Sequence, residues 1–220
     1  MNNNQSGRSM IEMLGVLAII GVLSIGGLAG YSKMMSQHRI NTTLQQIQIM
    51  TSKLSVLGSN GGSYEGLNQY TAYRLEALPN EIIESVDNSA KTAVLSNIYS
   101  GEIKIESASI LDGTCKEGCD HQAYTITYTG LPEEACLALG GSTWNSDSNS
   151  SMVGFGVGQK DKEKTIKEYL KQDCEGGSES GMVVACSGAK SKIKTPIDLD
   201  IVTDACSCAS GDCVLVLKFF

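Results

Sequence analysis

Histidine is nearly absent from this 220-residue chain, which has only His38 and His121. A Ser-His-Asp or Cys-His constellation would have to be built around one of them, and both read more simply as exposed polar residues. No glycine-rich phosphate loop occurs either. Gly154-Phe-Gly-Val-Gly158 alternates its glycines but lacks the lysine and helix start of a P-loop. Behind the Ser/Asn-rich stretch Ser142 to Ser151 it reads as a surface turn without a ligand. The CxxC knuckle is missing as well, since Cys115-x3-Cys119 and Cys206-x-Cys208-x4-Cys213 have other spacings. The expectation is a protein without enzymatic activity, cofactor or metal.

Positive charge is also in short supply, with 17 Lys and Arg against 24 Asp and Glu and a net charge of -7. The deficit is uneven: residues 8–57 carry +3, and residues 58–220 carry -10. An acidic downstream domain argues against nucleic acid held by general electrostatics. Lys160, Lys162, Lys164, Lys167 and Lys171 form a row, but Asp161, Glu163, Glu168 and Asp173 interleave with them. With Ile166, Tyr169 and Leu170 on the inner side, the row reads as a solvated amphipathic helix, and no nucleic-acid partner is expected.

Long apolar runs are absent except for one. Met13 to Tyr31 is interrupted only by Ser24, while later runs such as Cys213 to Leu217 are short enough for a buried strand. Nineteen helical residues span about 28 Å, near the ~30 Å hydrocarbon core of a bilayer. With 41% hydrophobic and 19% charged residues, the chain is neither disordered nor polytopic, and it reads as a single-pass protein. Gly15, Gly21, Gly26, Gly27 and Gly30 allow close backbone approach within such a segment, and Gly26 and Gly30 form a small-xxx-small pair.

Glu12 stands at the edge of this run. A carboxylate in a membrane helix costs up to ~2.5–3.5 kcal/mol at mid-bilayer and is normally kept for pairing with a cation. A secretory signal peptide, with Arg8 as basic flank and cleavage after Gly27-Leu28-Ala29, would leave Glu12 without a purpose.

The segment Gly7-Arg8-Ser9-Met10-Ile11-Glu12-Met13-Leu14 resembles the prepilin processing motif of type IV pilins. The resemblance implies that a membrane prepilin peptidase cuts between Gly7 and Arg8 and that the new amino group of Arg8 is methylated. Glu12 would then neutralise the terminal amine of an adjoining subunit in the dry filament core, where unpaired charges are costly. Met13, Leu14, Gly15, Gly26 and Gly30 would belong to the filament-core helix. Arg8 also supplies a positive-inside signal.

The implied fold is α+β and type IV pilin-like: a long N-terminal helix packed against a small antiparallel sheet head with disulfides. The implied function is a structural subunit of a type IV pilus, an adhesion or motility appendage. Its partners would be copies of itself, the peptidase and the assembly machinery of the inner membrane, and it would pass from that membrane to the cell surface. The alternatives are a minor pilin, a tip adhesin or DNA-uptake module, and a type II secretion pseudopilin.

The expected organisation is a leader at 1–7, a long helix at 8–57 and a head at 58–220. Residues 8–31 form the membrane and filament-core part of the helix. Residues 32–57 form its amphipathic part, where Ile40, Leu44, Ile47, Met50, Leu54 and Leu57 recur at helical spacing. Unbroken, residues 10–57 span about 72 Å. In the head, Glu81 to Val86 and Ser89 to Tyr99 read as short helices or loop. Glu102 to Glu106, Ala123 to Thr129 and Cys213 to Phe220 read as antiparallel strands, and Gly130 to Leu139 as a short helix.

All eight cysteines lie in the second half and, behind a membrane signal, read as disulfides formed outside the cytoplasm. The segments around Cys136 and Cys206 resemble the two cysteine-bearing segments of type IVb pilins, and that resemblance implies a Cys136–Cys206 bond. Cys115 with Cys119, Cys174 with Cys186 and Cys208 with Cys213 are pairings suggested by proximity alone. The connectivity stays open beyond the first pair.

Overall fold

The computed structural model describes residues 6–59, 63–109, 121–144, 152–170, 176–186, 196–208 and 211–220. Two compact units are present, Met1–Asn41 and Thr42–Phe220. Helix α1 (Ser6–Ser59) supplies most of the first and enters the second. It contains no proline, and neither an acidic residue in its first turn nor a basic one in its last compensates its dipole. Within the second unit, Thr43, Ile47, Met50 and Leu54 are buried at helical spacing. Leu44 and Leu57 are only half-buried.

Residues 63–99 contain more regular structure than their polarity suggests. Helix α2 (Gln69–Arg74) begins at Asn68, whose side chain accepts from the Tyr70 and Thr71 backbone amides in a capping box. Where short helices or loop were expected, β1 (Ile83–Asp87) and β2 (Thr92–Leu95) form an antiparallel hairpin. Only a 3-10 turn at Asn80–Ile82 precedes it. This hairpin buries little of either face, so it shows no clear apolar alternation.

The main sheet has six strands: β3 (Ile103–Ala108), β4 (Ala123–Leu131), β5 (Met152–Gln159), β6 (Gly177–Glu179), β7 (Met182–Cys186) and β8 (Cys213–Phe219). Their spatial order is β3-β4-β8-β5-β7-β6, and every pair is antiparallel. The last strand therefore lies inside the sheet, and each of its residues is buried. Helices α3 (Glu133–Gly140), α4 (Glu163–Tyr169) and α5 (Leu199–Ala205) complete the unit.

Register divides the sheet into two covered faces. Tyr124, Ile126 and Tyr128 pair with Phe219, Leu217 and Leu215, and Leu217 and Leu215 pair onward with Phe155 and Val157. Tyr64 and Phe219 pack on Tyr124 with ring centroids 4.8 and 5.4 Å away. On the opposite face Val214, Val216, Met182 and Val184 join Ile166 and Leu170 in one apolar cluster.

Gly154 to Gly158, read from sequence as a turn, is the middle of β5. Gly156 pairs with Val216 and Val184 on the face beneath α4. A Cβ on Gly156 would stand 2.5 Å from Ile166 Cγ2, so the missing side chain is what lets α4 approach.

Candidate functional site

Gly7 and Arg8 lie in the first turn of α1, which starts at Ser6. Glu12 follows Arg8 by four residues and is exposed. Along the same helix the apolar side chains are exposed without interruption, including Met13 at 66%, Leu14 at 63% and Ile25 at 75%. A Cβ added at Gly15, Gly26 or Gly30 would meet nothing within 4 Å. Gly26 and Gly30 are four residues apart and so share a helix face.

By length and composition this helix can cross a membrane. Within Met10–Gly58 its most apolar window has a mean hydropathy of 2.2, and none of that window is buried. Leaving one such side chain in water forgoes about 1.5–3 kcal/mol relative to burial. A continuous apolar surface of this extent marks contact with lipid or with another apolar surface.

In the head, Cys136 of α3 is bonded to Cys206 at the end of α5, across 70 residues of sequence. Cys208 is bonded to Cys213, the first residue of β8. The chain-entropy view assigns the first bond about 4 kcal/mol and the second about 2 kcal/mol, because the wider loop constrains the unfolded chain more. Cys186 is disulfide-bonded, and its partner is none of the other described cysteines. Cys115, Cys119 and Cys174 lie outside the described residues, so the expected 115–119 and 174–186 pairings fall there wholly or in part.

Two lysines of the row, Lys160 and Lys167, form ion pairs. Lys167 Nζ donates to Glu106 at 2.6 Å and to Glu163 at 2.9 Å, while Lys104 reaches Glu163 at 3.4 Å. Lys160 lies 3.5 Å from Asp212, and Lys171 is outside the described residues. Burial works to raise the Glu163 carboxyl, but the bonds and charges of Lys167 and Lys104 outweigh it and hold the group below its ordinary value. Burial likewise opposes the charge of Lys167, and its bonds to Glu106 and Glu163 reverse that and raise it. The roles of Lys104 and Glu106 were not anticipated. Their alternation on β3 places both on one face, but nothing local shows that α4 covers that face.

Residues 37–216 match the family model described as PilS N terminal. The chain belongs to this family of type IV pilins. No curated protein matches the sequence significantly. The crystal structure of a type IV b pilin from Salmonella typhi is similar to it at 16% identity and a TM-score of 0.42, over 79% of this chain and 96% of that one.

The pilin match takes in the buried part of α1, the sheet as far as Val216 of β8, and both fully described disulfides. Its α+β architecture has the long helix, antiparallel sheet and disulfides expected of a pilin. Gly7, Arg8 and Glu12 lie upstream of the matched residues.

Proposed function

We propose that this pilin is a structural subunit of a type IV pilus, cut after Gly7 by a prepilin peptidase, methylated at Arg8 and polymerised through its N-terminal helix. The leader would be residues 1–7, the helix 8–57 and the head 58–220. The observation that carries the reading is the unbroken exposure of apolar side chains from Met10 to Leu28 in a chain of the pilin family. Such a surface is stable in lipid before assembly and against copies of itself afterwards.

Glu12 supports the same reading, because it sits where a carboxylate in an apolar environment needs a cation. In a filament the amine of Arg8 on an adjoining subunit meets that need. Met13, Leu14, Gly15, Gly26 and Gly30 then pack in the filament core, and the acidic head faces outward. The inner membrane holds the subunit until the assembly machinery draws on it.

Amino-terminal sequencing and intact mass of the protein recovered from cells test the proposal. A chain starting at N-methylated Arg8 and found in filaments by electron microscopy is the expected result. A chain starting at Gly30 would refute it.

A further inference from the structure

Four cysteine sulfurs meet where α3, the end of α5 and the start of β8 come together. The Cys136–Cys206 and Cys208–Cys213 bonds lie side by side, with the sulfurs of Cys136, Cys208 and Cys213 all within 4.8 Å of one another. Cys213 Sγ is also 3.5 Å from the Cys206 carbonyl oxygen. A Cys213 thiolate released from its bond would therefore lie within 4.8 Å of Cys136 Sγ.

Access differs among the four. Cys136, Cys206 and Cys213 are 0% exposed, while Cys208 retains 9% and follows the exposed Ser207. Thiol–disulfide exchange requires direct attack on a sulfur, so its rate follows accessibility as well as thiolate chemistry. Cys208 Sγ lies 3.7 Å from the Gly158 carbonyl oxygen, and of the four residues Cys208 alone keeps any exposure to a reagent from solvent.

We propose that Cys208 is a thiol-modification site for a low-molecular-weight thiol, and that the Cys208–Cys213 pair is the route by which the enclosed Cys136–Cys206 bond opens and re-forms. In the first step an external thiolate attacks Cys208 Sγ. A mixed disulfide forms at Cys208, the Cys208–Cys213 bond breaks, and its electron pair leaves on Cys213. In the second step the Cys213 thiolate attacks Cys136 Sγ, forming Cys136–Cys213 and expelling Cys206 as a thiolate. One thiolate enters and one is released, two disulfides exist before and after, and no oxidant or reductant is consumed. The Cys206 thiolate takes up a proton from water, as the external thiol gave one up. This exchange is independent of the filament reading, since it involves the head alone.

The test uses the full chain folded in detergent micelles and exposed to reduced glutathione. Samples are quenched by alkylation at intervals and mapped by peptide mass spectrometry. The expected products are a glutathione adduct on Cys208 and a Cys136–Cys213 linkage with Cys206 alkylated. In the double variant Cys208→Ser/Cys213→Ser, opening of Cys136–Cys206 should slow at least tenfold. An adduct on Cys136 or Cys206 while Cys208–Cys213 stays intact would overturn the proposal, as would absence of any Cys136–Cys213 linkage. If the double variant folds poorly, the product map of the unaltered chain decides by the same criteria.

Discussion

Ile166 of α4 occupies the space that a side chain on Gly156 of β5 would need, with its Cγ2 2.5 Å from the position of the added Cβ. Val184 Cγ2 and the Val183 carbonyl oxygen stand at 2.9 and 3.1 Å, so the methyl cannot escape sideways. Ile166 is β-branched and fully buried, which leaves it little rotamer freedom. Gly156→Ala should therefore destabilise the head by about 1–3 kcal/mol through overpacking. Urea unfolding would show a lowered midpoint with an unchanged slope. An unaltered midpoint would mean that α4 shifts outward without cost.

Asn97 fastens the turn into β3 to the end of β4. It is buried, its Nδ2 donates to the Thr129 carbonyl at 2.8 Å, and its Oδ1 accepts from the amides of Tyr99 and Gly101. Asn97→Ala removes all three bonds; the buried one to Thr129 costs about 1–3 kcal/mol when its carbonyl is left unsatisfied, and the half-buried Tyr99 and Gly101 amides, within reach of water, lose less. The expected result is a clear loss of thermal stability and faster amide exchange at Gly101. Asn97→Asp keeps the Oδ1 contacts but sets a second carboxylate oxygen against the Thr129 carbonyl, so it should destabilise the head as well.

Strands β3, β4 and β8 were legible because apolar and polar residues alternate in them or, in β8, form a terminal apolar run. Strand β5 was missed because glycines at 154, 156 and 158 looked like turn punctuation. They are one half of a period-two pattern whose other half is Phe155 and Val157; Ile166 of α4 leaves no room for a side chain at Gly156, and Gly181 and Met182 leave none at Gly158. The β1–β2 hairpin was missed because its burial is slight on both sides. Gly7, Arg8 and Glu12 are legible only through their motif. Their proposed partners are other chains, and nothing within one chain's fold marks them.

The ion pairs between β3 and α4 give the head a pH dependence with a definite sign. Glu163 has a folded pKa below its ordinary value of 4.5. The stability it contributes is present above that value and is lost as pH falls through the folded one. Lys167 has a folded pKa above its ordinary 10.5, so its contribution is present below that value and is lost as pH rises through the folded one. Unfolding free energy measured against pH should therefore decline on both sides of a neutral plateau. Glu163→Gln should flatten the acid-side decline; an acid limb of unchanged steepness would show that other carboxylates set it.

Glu12 offers the sharpest separation between anchoring and assembly. Removing its carboxylate makes the N-terminal helix more apolar, so Glu12→Ala should insert into the membrane at least as well as the unaltered chain. The same change leaves the terminal amine of an adjoining subunit unpaired in a dry environment, where losing one partner of a buried pair costs about 3–5 kcal/mol. Repeated at every subunit, that cost should abolish filaments or cut their yield at least tenfold while the membrane pool is retained. Glu12→Gln keeps the shape and a hydrogen-bond acceptor without the charge, so its failure to assemble would assign the effect to charge, and its success would assign it to shape. Normal filament yield from Glu12→Ala, scored by shearing cells and comparing the sheared fraction with the membrane fraction, would remove the pairing role altogether.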